Sequence, residues 1–319
     1  MKSTLEKIRD YSRNASEGKT SNRLSNLRGA MEIESASQFN YRTSQGTLRQ
    51  VANAPSLSVG TDSTIETSCD YDYENELRLD FHTSELQCSF DVVDKFAEYT
   101  QANHSCGLHF HIKASDLIGR SIETPSGKAR LAQVLIPLVS VCKRFENAFY
   151  SASGNRLRKN SEWSQVWNDS NFDRLKLARA NPTLDNLADA QPCRTAFLNL
   201  RNLRNSNYAP NERTIEFRCF SASTSEFDEE YTPTSALHVE SSLFLILNAL
   251  SACLSETSKP LEKLRFDLKH PTHEKSLQWF FHHCAKRPQI ERWTNEDLVR
   301  SMITYLWEQS RQADDVLTY

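Results

Sequence analysis

Glycine is scarce in this 319-residue chain, with eight in all. No GxxxxGK[ST] or GxGxxG stretch occurs, so neither a P-loop nor a dinucleotide fingerprint is present. Eight cysteines are scattered with no CxxC pair, which excludes the usual redox and zinc-ribbon spacings. Single thiols of this kind are expected to be reduced and mostly buried, as in a cytosolic protein. There is no excess of positive charge: 38 Lys and Arg stand against 41 Asp and Glu, for a net charge of -3. That removes the electrostatic basis for general nucleic-acid binding. The longest apolar run, Leu243 to Leu254, is interrupted by Asn248 and Ser251 and is too short to span a bilayer. The polar, basic start has no apolar h-region, so a cytoplasmic protein without signal peptide or membrane contact is expected.

What is present reads as a soluble globular protein, with 38% hydrophobic and 25% charged residues. The charge is uneven. Residues 62–98 hold eleven acidic and two basic side chains, and residues 143–218 hold thirteen basic and eight acidic ones. Separate acidic and basic regions suit a site that holds cations and anions together, and also ordinary surface variation.

Alternation and helical spacing place the elements. Strands are expected at 30–35, 75–82, 106–113 and 213–220, and helices at 90–100, 127–150 and 235–255. Pro137 predicts a kink or restart in the 127–150 helix. Thr294 with Asp297 predicts the N-terminal cap of a last helix ending near Arg311. Residues 40–68 read as loops, and residues 1–28 as a basic arm or a short helix. The order of elements predicts an α+β fold with a largely antiparallel sheet backed by helices.

Each strand then shows the same division. A two-residue period puts Glu32 and Glu34 on one face, Glu76, Arg78, Asp80 and His82 on one face, His109 and His111 on one face, and Glu216 with Arg218 on one face. The opposite faces carry Met31 and Ile33; Leu77, Leu79 and Phe81; Leu108, Phe110 and Ile112; Ile215, Phe217 and Cys219. Paired strands would therefore crowd four glutamates and two histidines on one surface. Crowded carboxylates repel unless cations neutralise them. Hard oxygen donors point to Mg²⁺ or Mn²⁺, and the imidazoles also admit Zn²⁺ or Fe²⁺. The plain alternative is a solvated face with mixed charges.

The segments GAMEIE (29–34), TDSTI (61–65), ELRL (76–79), CGLHFHI (106–112) and NERTIEFRCF (211–220) occur in the order seen in the amidoligase family of glutamine synthetase-like carboxylate–amine ligases, and the chain resembles that family over roughly 28–250. SASGNR (151–156) and CRTAFLNLR (193–201) are similar to the family's arginine-bearing segments. The resemblance implies a curved antiparallel sheet holding ATP with Mg²⁺ (or Mn²⁺), and amide or isopeptide formation through an acyl phosphate. It implies Glu32, Glu34, Glu76, His109 and Glu216 as metal ligands, His111 as a contact to nucleotide or a support for a ligand, and Arg218 beside the transferring phosphoryl group. With Arg218, Glu216 and His111 form the catalytic set. Arg156, Arg194 and Arg213 are candidates to hold phosphate or carboxylate, and Asp62 and Ser63 to line the acceptor pocket. The plain readings are a solvated Arg156 beside Arg158 and Lys159, and an Arg194 paired to an acidic neighbour.

The expected layout is a basic arm (1–28), a catalytic domain (29–258) and a helical extension packed on it (259–319). The expected partners are small-molecule or peptide carboxylates and amines. Two other functions fit the same residues: a metal-dependent hydrolase or phosphatase, and a binding module on a degenerate ligase fold. Cys106, beside Gly107, reads as a buried thiol rather than a nucleophile. Arg78 departs from the family pattern, which continues after Glu76 with small residues and a proline.

Overall fold

The computed structural model describes residues 2–13, 21–153, 164–191, 193–204, 207, 209–225, 230–254, 261, 272–284 and 288–315. Its centre is a seven-stranded sheet of antiparallel neighbours, so the expected α+β class with an antiparallel sheet is found. The strands are β1 (Arg28–Ser37), β2 (Leu57–Gly60), β3 (Tyr73–His82), β4 (Thr100–Gln101), β5 (Gly107–Lys113), β6 (Leu198–Asn199) and β7 (Thr214–Ser221). Their order is β2-β3-β1-β5-β7-β6, with β4 beside the end of β1.

The apolar faces expected from the alternation form the core. Met31, Ile33, Leu77, Leu79, Leu108, Phe110, Ile112, Ile215 and Phe217 are fully buried. Helices back this face: α1 (Thr4–Arg13), α2 (Tyr41–Leu48), α3 (Leu86–Ala97), α4 (Ala114–Ile118), α5 (Pro125–Arg144), α6 (Glu146–Tyr150), α7 (Asp169–Ala178), α8 (Leu184–Asp189), α9 (Ala236–Leu254), α10 (His273–Cys284) and α11 (Glu296–Asp315). α9 is long and apolar enough to cross a membrane by composition, but it is 94% buried inside the protein and serves as a core helix packed on α3, α5 and α11. Cys106, Cys142, Cys219, Cys253 and Cys284 are buried thiols outside any disulfide.

Several boundaries differ from the sequence expectation. α5 runs unbroken through Pro137, and the interruption falls at Phe145 (φ -110°, ψ 27°). That break turns Phe145 edge-on to Phe280 at 5.8 Å and Phe149 edge-on to Phe197 at 5.3 Å, so aromatic packing decides where the helix restarts. Residues 40–68 are not all loop: Asn40 Oδ1 accepts from the Arg42 and Thr43 amides and caps α2, whose buried residues are Ser44 and Leu48. The cap of α11 is Asn295, which accepts from the amides of Asp297 and Leu298; Thr294 instead donates to the Glu291 carbonyl in the preceding turn. At the N-terminus, residues 4–13 form a helix whose Ile8 is buried and whose Arg9 donates to Thr304 Oγ1 of α11 at 2.8 Å.

Two local features shape the polar face. The register between β5 and β7 shifts, with Leu108 opposite Phe220 and Phe110 opposite Phe217. His109 therefore faces two residues of β7, a bulge that turns Phe220 onto the core, where it meets Phe110 edge-on at 5.7 Å. The second feature is Gly29. A Cβ there would lie 2.3 Å from the His111 carbonyl oxygen and 2.5 Å from the Phe81 ring. Gly29→Ala is expected to destabilise the fold by about 1–3 kcal/mol, because β1 must move away from β5. Urea unfolding checks this, and an unchanged midpoint would contradict the close approach.

Candidate functional site

Strand register does what the period alone cannot: it decides which polar side chains meet. Glu32 lies opposite Arg78 on β3 and opposite His109 on β5. Glu34 lies opposite Glu76, and His111 opposite Glu216, which is itself opposite Asn199. These side chains line one cavity of about 1090 Å³ over the polar face of the sheet.

Among the described residues, two groups can hold a metal ion. The ligating atoms of Glu32, His111 and Glu216 lie within 4.8 Å of one another, as do those of Glu34, Asp62 and Glu76. In the first group His111 Nε2 is 3.4 Å from Glu32 Oε2 and 3.9 Å from Glu216 Oε1. This nitrogen is buried and makes no aligned hydrogen bond, so it faces two carboxylates across a gap. A cation between them would satisfy all three, and that is the observation on which a metal fits here. Glu216 is held from behind by Asn199 Nδ2 at 2.6 Å and by the Arg218 guanidinium. In the second group the Gly107 amide donates to Glu34 Oε2 at 2.5 Å, and Asp62 Oδ1 accepts from the amide and hydroxyl of Thr64. His109 is buried between the groups, its Nδ1 3.5 Å from Glu32 Oε2 and 3.9 Å from Glu34 Oε1.

The ionisation of these groups follows from their neighbours. Burial opposes the charge on Glu32, but His109 and His111 outweigh it and hold the carboxyl well below its usual range. Burial likewise opposes the charge on Glu216, and His111, Arg218 and His109 win, lowering its pKa. His111 is raised: burial disfavours the imidazolium, and Glu32 and Glu216 more than compensate. Glu76 goes the other way. Burial and then the charge on Glu32 push it up to about 7, with Arg78 offsetting only part.

Glu76 gives a stability signature. Between its ordinary value of 4.5 and about 7, the folded metal-free protein keeps a proton that the unfolded chain has released. Stability from this group therefore falls as pH rises through that window, by at most about 1.4 kcal/mol per unit. Metal-free wild type is expected to lose stability relative to Glu76→Gln between pH 5 and 8. Thermal unfolding of both across that range checks it, and parallel profiles would contradict the crowding of Glu76.

The remaining candidates divide. Arg194 and Arg218 line the cavity, and Arg194 is exposed there. Arg213 does not: it pairs with Glu123 at 3.2 Å and donates to the Leu203 carbonyl, so its expected place beside phosphate is corrected. It precedes the first residue of β7, and its side chain leaves on the side away from Thr214, which does line the cavity. Arg156 lies outside the described residues. Asp62 lines the cavity as one of the carboxylates of the second group, and Ser63 does not line it. Asn199, Asn202, Arg201 and Arg204 also line it, and no periodic pattern points to them; Lys113 lines it too, on the face of β5 that carries His109 and His111. Cys106 is fully buried and its thiol is pushed up to about 12 by burial, so it is no nucleophile at neutral pH.

No protein-family model matches the chain, and no curated protein does. Among solved structures, a bifunctional glutathione synthetase from Pasteurella multocida is similar at 12% identity and a TM-score of 0.41, covering 94% of this chain and 53% of that one. The chain thus spans about half that enzyme's length. A likeness this low carries no weight for family or activity. The functional reading stands on the residues of the cavity and on the motif resemblance.

Proposed function

We propose that the protein is an ATP- and divalent-metal-dependent ligase that joins a carboxylate to an amine. The observation that carries this reading is the pairing, on one sheet face, of two carboxylate-rich groups with a bordering set of arginines. Oxygen donors outnumber imidazoles in both groups, which suits Mg²⁺ or Mn²⁺. Glu32, His111 and Glu216 would hold one ion, and Glu34, Asp62 and Glu76 a second, with His109 supporting Glu32 and Glu34 between them. Such ions neutralise charge on the transferring phosphoryl group.

The chain's own residues supply the rest. Arg218 faces the cavity beside Glu216 and is placed to meet phosphoryl oxygens. Arg194, with Arg201, offers planar guanidinium groups for phosphate or substrate carboxylate, and Arg204 at the rim is held by Asp189. A carboxylate is a poor acyl donor because its oxide would have to leave. Transfer of the γ-phosphoryl group makes an acyl phosphate and ADP; attack by an amine then forms the amide and releases inorganic phosphate. The cavity, at about 1090 Å³, has room for a nucleotide and a small acid or peptide end. In this reading residues 29–258 carry the chemistry, and the helices beyond them back it in a cytoplasmic enzyme.

Incubation with ATP, Mg²⁺ and pooled amino acids and amines tests this, with ADP, phosphate and a new amide mass as readouts. ADP formation that requires both co-substrates is the expected result. Nucleotide or ester hydrolysis without an amine would replace the ligase by a hydrolase using the same groups. No turnover and no nucleotide-dependent rise in unfolding temperature would leave a binding module.

A further inference from the structure

Arg78 occupies an unusual position between the two metal-holding groups. It follows Glu76 by two residues on β3 and lies opposite Glu32 on β1, so both carboxylates share its face. Its Nη2 is 2.9 Å from Glu76 Oε2, and its Nε is 3.4 Å from Glu32 Oε1. Glu32 belongs to the group with His111 and Glu216, and Glu76 to the group with Glu34 and Asp62. One guanidinium therefore bridges both groups. The Arg78 side chain is 58% exposed, against 11% for Glu76 and 18% for Glu32. The guanidinium therefore sits on the solvent side of two carboxylates that the sheet holds in place.

We propose that Arg78 is a built-in competitor for divalent metal at the Glu34–Asp62–Glu76 group, and that a bound polyphosphate relieves the competition by giving it a new partner. The proposal rests on reading the two groups as metal sites. A divalent ion in the second group shares the Glu76 carboxylate that Arg78 now contacts, and it feels the repulsion of an adjacent positive charge. Arg78 lines the cavity, so once released it remains within reach of an anion bound there. A guanidinium prefers a bidentate phosphate to a partly hydrated carboxylate contact. The ion alone then binds against Arg78, while the ion with its polyphosphate binds with its help. By linkage, whatever the anion adds to metal affinity, the metal adds to anion affinity. The cavity would thereby fill with metal–nucleotide complex in preference to free metal.

Mn²⁺ titrations of full-length wild type and Arg78→Met, with Mn²⁺ alone and with the Mn²⁺ complex of AMP-PNP, test the idea. Arg78→Met is expected to bind Mn²⁺ alone more tightly than wild type, by about fivefold or more, and the Mn²⁺–AMP-PNP complex more weakly. These opposite shifts are not what a merely structural role would give. Unchanged or weaker binding of Mn²⁺ alone, or two shifts of the same sign, would overturn the proposal. If wild type and variant both fail to bind Mn²⁺, the metal reading falls and this proposal with it. Arg78→Gln carries the same expectations, so a folding defect in the first variant does not decide the outcome.

Discussion

Glu216→Ala is expected to weaken Mn²⁺ binding at its group by at least about 100-fold and to bring ADP formation below detection. Glu216 is one of three ligating residues around the gap that faces His111 Nε2, and no other carboxylate on β7 can replace it. Its removal also strips Arg218 and Asn199 of their shared partner. Asn199 would keep only the bond its Oδ1 accepts from the Arg201 amide, and the Arg218 guanidinium would lose a contact that fixes its direction in the cavity. Glu216→Gln keeps the shape and removes the charge, so it should show the same loss of metal with a smaller change in stability. Calorimetric Mn²⁺ titration and an ADP-release assay check both variants. Wild-type metal affinity in Glu216→Ala would remove this group from the site.

The largest expected effect on stability lies away from the cavity. Glu240, on the core helix α9, is 1% exposed. It accepts from Arg292 Nε at 2.7 Å, from Arg292 Nη2 at 2.8 Å and from Trp293 Nε1 at 2.8 Å. This fork pins the turn that precedes α11 to the core helix, with Trp293 packed edge-on against Phe244 at 5.0 Å. Glu240→Ala removes the acceptor shared by a partly buried guanidinium and a buried indole N–H, and leaves Arg292 only its contacts to Gln87 and the Phe90 ring, a change that costs about 3–5 kcal/mol. Urea unfolding should show a loss of that size, with Mn²⁺ affinity of the folded protein unchanged. A loss under about 1 kcal/mol would mean that Arg292 and Trp293 find other partners.

Much of the site was legible because the strands obey a strict two-residue period. Glu32, Glu34, Glu76, His109, His111, Glu216 and Arg218 can be assigned to polar faces without knowing how the strands pair. Which of them meet depends on register, and register is set by long-range packing. The bulge opposite His109 is the clearest case: it arises from placing both Phe217 and Phe220 in the core, a requirement that no local pattern shows. As a result the structure gathers His111, rather than His109, with Glu32 and Glu216. Asp62 reaches the second group from a loop, and Asn199 and Asn202 reach Glu216 from a short edge strand and a turn, so no periodicity could point to them. Arg213 shares the parity of Ile215 and Phe217, not that of Thr214, Glu216 and Arg218, and it pairs with Glu123 instead of lining the cavity. The short α2 and β2 carry no periodic signal, because α2 buries little and β2 is held mainly by backbone pairing at the sheet edge.

Crystals soaked with Mn²⁺ and AMP-PNP, with data collected at a wavelength where manganese scatters anomalously, test the central claim most directly. The account predicts manganese peaks among Glu32, His111 and Glu216 and among Glu34, Asp62 and Glu76, with the phosphates lying toward Arg218 and Arg194. Bound nucleotide with no manganese in either group, or manganese bound only elsewhere on the surface, would contradict it.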